Sequence, residues 1–148
     1  MNKTFRVFYI LLAVSIISSC AGKTPATIGK FSDCPDKPNC VSTKSINKKV
    51  YIDPIKYTGS RDDAKRLLIS AILSYGSSKI QKDQDAFVHV EFVSEIFGFV
   101  DDVEFYFSKP GIIDFRSASR IGYSDLGINR NRMEAIRTKF NDLVDAEM

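Results

Sequence analysis

The sequence predicts an α+β domain: an antiparallel sheet of four to five strands with two amphipathic helices packed on one face. Two patterns predict it. Apolar residues alternate with polar ones in three stretches between residues 86 and 117, the period of a half-buried strand. They recur at spacings of three and four near residues 60–76 and 129–144, the period of a helix with one apolar stripe. The order strand, helix, strands, helix lacks the regular β/α alternation of a parallel sheet. A chain of 148 residues is long enough for one domain with one core.

The elements follow in order. In "KKVYIDPIKY", 48–57, Val50, Ile52, Ile55 and Tyr57 suggest a strand that Pro54 bends or restricts to an edge. Ser60 opens the first helix, paired with Asp63 in a capping-box arrangement. Ala64, Leu67, Leu68, Ala71, Ile72 and Tyr75 form its stripe, and Gly76 stops it. "SKIQK", 78–82, adds an edge strand. In "AFVHVEFV", Val88, Val90 and Phe92 face one way, and Phe87, His89, Glu91 and Val93 the other. In "FVDDVEFYF", Phe99, Asp101, Val103, Phe105 and Phe107 share one face, and Asp102, Glu104 and Tyr106 the opposite one. After the turn "KPG", "IIDFRS" points Ile113 and Phe115 inward, Asp114 and Arg116 outward. The three strands read as a meander with one wet face. Asn129 is the expected N-cap of the last helix, which carries Met133, Ile136, Phe140 and Leu143 to about Val144.

The start of the chain has a different character. Lys3 and Arg6 precede an apolar run, Val7–Ile17, interrupted only by Ser15. The run is too short for a bilayer span, which needs ~20 apolar residues, but it suits a secretory signal over residues 1–19. It ends in "IISSC", which resembles the bacterial lipobox and implies cleavage before Cys20 and lipid on its thiol and new amino group. Such acylation anchors stably, since each buried CH₂ contributes ~0.8 kcal/mol. Ala21 rather than Asp follows the cysteine, which by lipoprotein sorting logic points to the outer membrane. The expected location is the bacterial cell envelope, facing the periplasm. Residues 20–33 read as a lipidated tether of small and polar residues, and residues 34–148 as the single domain.

Cys34 and Cys40, in "CPDKPNC", are the remaining cysteines. An even pair in an exported chain reads as a disulfide, and Pro35 and Pro38 bend the segment between them. The rival metal site needs further ligands, and the single histidine, His89, is far off in sequence. Removing Lys3 and Arg6 from the 21 basic residues leaves 19 against 18 acidic ones. That near balance, with export, argues against a nucleic-acid partner.

His89 reads as a surface or packing histidine, because no nucleophile motif accompanies it. Gly122 and Gly127 have the GxxxxG spacing of a phosphate loop, but Ile128 and Asn129 stand where that motif needs Lys and Ser or Thr. No metal or other cofactor is expected. Phe97 and Phe99, around Gly98, either close the end of the core or form an exposed apolar tip. Asp101, Asp102 and Glu104 form an acidic group. Asp102 and Glu104 share a face, where Arg116 and Glu91 can meet them as cross-strand pairs worth ~0.2–1 kcal/mol each.

The stretch "RSASRIGYSDLGINRNR", 116–132, holds four arginines and one acid. A helix N-terminus favours anions, so Arg130 and Arg132 in its first turn need a compensating negative charge. Two readings stay open. In one, Arg116, Arg120, Arg130 and Arg132, with Ser117, Ser119, Ser124, Asp125 and Asn129, bind a carboxylate, phosphate or lipid headgroup. In the other, Asp101, Asp102 and Asp125 neutralise the arginines inside the protein.

"CPDKPNCVS", "FGFVDDVEFYF" and "RSASRIGYSDLGINRNR" together resemble the bacterial and plastid domain-of-unknown-function family 1499, over about residues 31–145. The resemblance implies one small α+β domain, often exported or membrane-linked, and no established activity. It marks Cys34 and Cys40, the acids Asp101, Asp102 and Glu104, and Arg116, Ser117, Ser119, Arg120, Gly122, Ser124, Asp125, Gly127, Asn129 and Arg130.

The leading expectation is a non-enzymatic envelope lipoprotein, membrane-bound through Cys20, that binds an anionic small molecule, a lipid headgroup or an envelope protein at Arg116–Arg132. A hydrolase or transferase using Asp101, Asp102 or Asp125, with arginines stabilising charge, is the enzymatic alternative. A structural or assembly module docking through a sheet edge or the Phe97–Phe99 tip is the third.

Overall fold

The computed structural model describes residues 21–147; the signal segment 1–19 and the lipidation expected at Cys20 lie outside them. The elements are β1 (Cys40–Ser42), β2 (Ile55–Lys56), α1 (Arg61–Tyr75), β3 (Ser78–Gln84), β4 (Phe87–Val93), β5 (Val100–Lys109), β6 (Ile112–Ser119) and α2 (Ile128–Glu147). The strands form one antiparallel sheet in the order β1-β6-β5-β4-β3, with β2 also on β6. The fold is α+β, with six strands rather than the expected four to five.

The extra strand arises because two short segments share the outer edge of β6. β1 pairs with Arg116–Ala118 and β2 with Ile112–Ile113. Thr43 fills the gap between them. Its Oγ1 donates to Asp114 at 2.8 Å and accepts the Phe115 N–H at 3.2 Å. Residues 40–42, where no strand was expected, form one, and the strand expected over 48–57 shrinks to Ile55–Lys56. Pro54 has no N–H to give a ladder, and upstream only Tyr51 forms a bridge, a parallel one to Ser42.

Helix α1 forms as its caps and stripe predict. Ser60 accepts the Asp63 N–H at 3.1 Å and donates to the Asp63 carboxylate at 2.7 Å. Ala64, Leu67, Leu68, Ala71 and Ile72 are buried. Tyr75 stays half exposed and packs edge-on against Phe92. Helix α2 starts one residue before its expected cap and runs to Glu147 rather than Val144. Asn129 is inside the helix; the capping acceptor is Asp125, whose carboxylate takes the N–H groups of Gly127 and Asn129 at 3.0 and 2.9 Å. The far end of α2 is tied to α1 by the two-point Arg66–Glu147 pair. Met133, Ile136 and Phe140 join the α1 stripe, Val88, Val90, Phe92, Val103, Phe105, Phe107, Ile113 and Phe115 in one core. The Cys34–Cys40 disulfide is present, with Cα atoms 5.7 Å apart, and it closes the loop that leads into β1.

The other sheet face is not wet. His89, Asp102, Glu104, Tyr106 and Arg116 are all buried there. The segment 21–33, expected to be a tether, lies against this face at Glu104, Tyr106 and Arg120. Gly29 donates its N–H to Glu104 at 2.7 Å, Phe31 donates its N–H to the Tyr106 hydroxyl at 2.9 Å, and the Phe31 ring stacks on Tyr106 at 4.4 Å. At its start, a Cβ on Gly22 would lie 3.0 Å from Arg120 Cβ and 3.2 Å from Ile121 Cγ2. Gly22 also has φ +64°, a left-handed conformation that side chains resist. Residues 21–33 are therefore a strap along the back of the sheet.

Gly22→Val is expected to loosen the strap, lowering stability by about 1–3 kcal/mol through backbone strain and contact. Urea unfolding checks the loss, and faster tryptic cleavage after Lys23 and Lys30 checks its location. Unchanged cleavage would show that the strap does not depend on this close approach.

Candidate functional site

Alternation along β6 divides "RSASR" between the two faces of the sheet. Arg116 and Arg120 project to the back, Ser117 and Ser119 toward the helices. The acids of β5 divide likewise, Asp102 and Glu104 to the back and Asp101 to the helix side. The residues picked out from sequence therefore form two networks separated by the thickness of the sheet.

The back network is a ladder of directly opposed residues. Glu91 stands opposite Asp102, His89 opposite Glu104, and Glu104 opposite Arg116. Arg120 grips Asp102 with two bonds, Nε to Oδ2 at 2.7 Å and an Nη to Oδ1 at 2.8 Å, and also pairs with Glu91. His89 Nε2 shares Asp102 Oδ1 at 2.7 Å. Glu104 is fully buried. It accepts the Tyr106 hydroxyl at 2.5 Å and the Gly29 N–H, and Arg116 approaches its other oxygen at 3.5 Å. Paired, multiply bonded charges are the form in which a protein interior tolerates ionised groups.

These contacts shift ionisation in opposite directions. Burial pushes the Asp102 carboxyl up, but hydrogen bonds and charge from Arg120 and His89 outweigh it and hold the group below its ordinary value. For Tyr106, burial and then the Glu104 carboxylate both disfavour the phenolate, and its pKa rises. The Asp102 bonds hold the Arg120 guanidinium protonated well above its ordinary range.

The network on the helix side centres on Asn129. Its amide N–H groups go to Asp125 at 2.7 Å, Ser119 Oγ at 3.1 Å and the Asn39 carbonyl at 3.3 Å. Its Oδ1 accepts from Ser117 Oγ at 2.5 Å and from Arg132 at 3.0 Å. Arg132 also binds Asp101 at 2.6 Å and lies over the Phe92 ring. Arg130 donates to the carbonyls of Tyr51 at 2.7 Å and Lys49 at 3.2 Å. Ser124 joins neither network; its Oγ accepts the Leu126 N–H in a local turn.

The four arginine heads thus meet carboxylates and carbonyls of the protein. Asp101, Asp102 and Asp125 do not converge: one pairs with Arg132 on the helix side, one with Arg120 on the back, and one caps α2. Among the described residues no group of three or more His, Cys, Asp or Glu is placed to hold a metal ion, and no helix is long and apolar enough to cross a membrane. A surface cleft of about 670 Å³ beside the disulfide is lined by Lys37, Lys44 and Lys49 with Asp33 and Asp36, and of the arginine stretch only Tyr123 reaches it.

The sequence places Glu91 beside Asp102 and Glu104 but does not mark Tyr106 and Asn39 as members of these networks, and His89 takes the packing role of its two expected ones. Alternation had already put His89, Glu91 and Tyr106 on the face of Asp102 and Glu104. Treating that face as solvated hid the consequence. Nothing local marks Asn39. The Phe97–Phe99 tip is exposed, at 65% and 43%, rather than closing the core.

Stability should be bounded by two groups of the back face. Asp102 is held below its ordinary 3.8, so its contribution is complete above that pH and is lost as pH falls through the lowered value. Tyr106 is held above its ordinary 10.0, so its contribution is complete below that pH and is lost as pH rises beyond it. Urea midpoints across pH should show a shallower acid limb in Asp102→Asn and a shallower alkaline limb in Tyr106→Phe. Limbs that superpose on the parent would assign the pH dependence to other groups.

A family described as "Protein of unknown function (DUF1499)" matches residues 30–140 of this chain. No curated protein and no solved structure matches it.

Proposed function

The chain belongs to the DUF1499 family of proteins of unknown function, and we propose that it serves as a non-catalytic contact module of the bacterial cell envelope, lipid-anchored through Cys20. One observation carries this reading: the charged residues that would make a site are engaged within the protein. Arg116, Arg120 and Arg132 face Glu104, Asp102 with Glu91, and Asp101. An anion would have to displace a carboxylate already held by two or more bonds at Arg120. The separation of Asp101, Asp102 and Asp125 gives the hydrolase alternative no common cleft. The domain also exposes large apolar side chains: Ile46, Ile96, Phe97, Tyr123 and Leu126 are the most exposed of them among the described residues. Exposed apolar groups of this kind serve contact with a membrane or a partner.

Thermal unfolding with inorganic phosphate, at constant ionic strength, tests the closed network against an anion site. Removing one partner of a buried pair costs about 3–5 kcal/mol, so Arg120→Ala should lower Tm by roughly 10 °C or more in a domain of this size. The parent Tm should not respond to phosphate. A phosphate-dependent rise in the parent, absent from an Arg120→Ala variant that folds as well as the parent, would overturn the reading in favour of an anion site.

A further inference from the structure

We infer that one end of the domain, formed by the turn 94–99 and the loop 121–128, rests directly on the lipid bilayer, with the strap holding it there. The inference rests on the lipid anchor proposed at Cys20. Three observations converge on this end. First, the turn and the loop leave the same end of the sheet: the Arg120 N–H donates to the Val100 carbonyl at 3.0 Å, directly beyond the turn that joins β4 to β5. Second, both are apolar and exposed. Ile96, Phe97 and Phe99 project from the turn, and Ile121, Tyr123 and Leu126 from the loop, with Ile96 at 86% and Leu126 at 89%. Third, the strap begins here, since Gly22 packs against Arg120 and Ile121.

The third observation sets a length. Two peptide units separate Gly22 from Cys20, a reach of at most ~8 Å. With the strap docked, an acylated Cys20 cannot hold the domain away from the membrane as a long tether would. It holds the Ile121 end within reach of the headgroups.

The chemistry of the surface fits that position. Glu95 is the one charged residue of the turn, and Asp125 is the one charged residue of the loop from 121 to 128. Asp125 is occupied in capping α2. Lys23, exposed beside Gly22, adds a cation at headgroup level. Apolar and aromatic tips with few charges partition into the interface between headgroups and acyl chains. A soluble protein partner would fit less well, because it could not account for the acyl attachment point lying two residues from the patch.

The chain contains no tryptophan, so introduced indoles report without background. The lipidated full-length variants F97W, L126W and S108W, the last near the end of β5 at the opposite end of the sheet, are reconstituted in vesicles of phosphatidylethanolamine and phosphatidylglycerol. Brominated acyl chains then act as contact quenchers. F97W and L126W are expected to lose about half or more of their emission, as groups buried in the interface do, while S108W keeps its own. Vesicle flotation and the mass of the Cys20 peptide are read in parallel. Unquenched F97W and L126W in protein that floats with the vesicles would overturn the bilayer contact and leave the anchor intact. Equal quenching of S108W would overturn the orientation. Protein that does not float and has unmodified Cys20 would overturn the anchor, and the inference with it.

Discussion

Ionised groups cannot be buried without partners, and the back of this sheet is built around that constraint. Asp102, Glu104 and Arg116 lie where a solvated face would normally be. Leaving them there without bonds would cost several kcal/mol for each group. The protein partners the two carboxylates in two ways, while Arg116 keeps a buried Nε without a partner. Cross-strand register sets Glu104 opposite Arg116 and brings Arg120 onto Asp102. The remaining bonds come from the strap, whose Gly29 N–H completes Glu104 and whose Phe31 covers Tyr106. The strap is thus as much a part of the domain as any strand, although it has no regular structure and almost no apolar content beyond Ile28 and Phe31.

The same stretch of β6 also serves the opposite face. Side chains two apart go to one side and their neighbours to the other, so Ser117 and Ser119 reach Asn129 while Arg116 and Arg120 reach the back. Asn129 connects the start of α2 to β6 and to Asn39, which precedes β1. Arg132 carries that connection to Asp101 on β5. An arginine near the start of a helix is unfavourable alone; here Asp101 provides the compensating charge. The two networks clamp β5 and β6 from both sides at the end of the sheet from which the apolar loops emerge.

Much of the fold was legible in the sequence. The period of α1, its Ser60 cap, the three alternating strands and the turn at Pro110–Gly111 all depend on neighbours within a few residues, and local sequence reports these directly. The cross-strand pairs of Glu104 with Arg116 and of Glu91 with Asp102 were also readable, because alternation assigns faces. Segments whose structure depends on a distant edge were not. β1 is a strand only because β6 has free hydrogen-bonding groups, and the segment 48–57 is mostly not one because Pro54 and β1 leave it little edge to use. Asn129 looked like a cap by residue type, yet Asp125 wins the position because its carboxylate reaches two free N–H groups at once.

The sequence alone determined that this is one α+β domain, that Cys34 pairs with Cys40, and that a charged cluster of β5 and β6 residues belongs together. It also places two basic residues and an apolar run before Cys20. Only the tertiary structure decided that the cluster is closed rather than open, and that residues 21–33 cover it. The physical reason is that polarity is a property of a residue, whereas solvation is a property of its surroundings. A face of His89, Asp102, Glu104 and Arg116 is polar in either case, and it becomes interior only when a segment some 75 residues away in the chain lies across it.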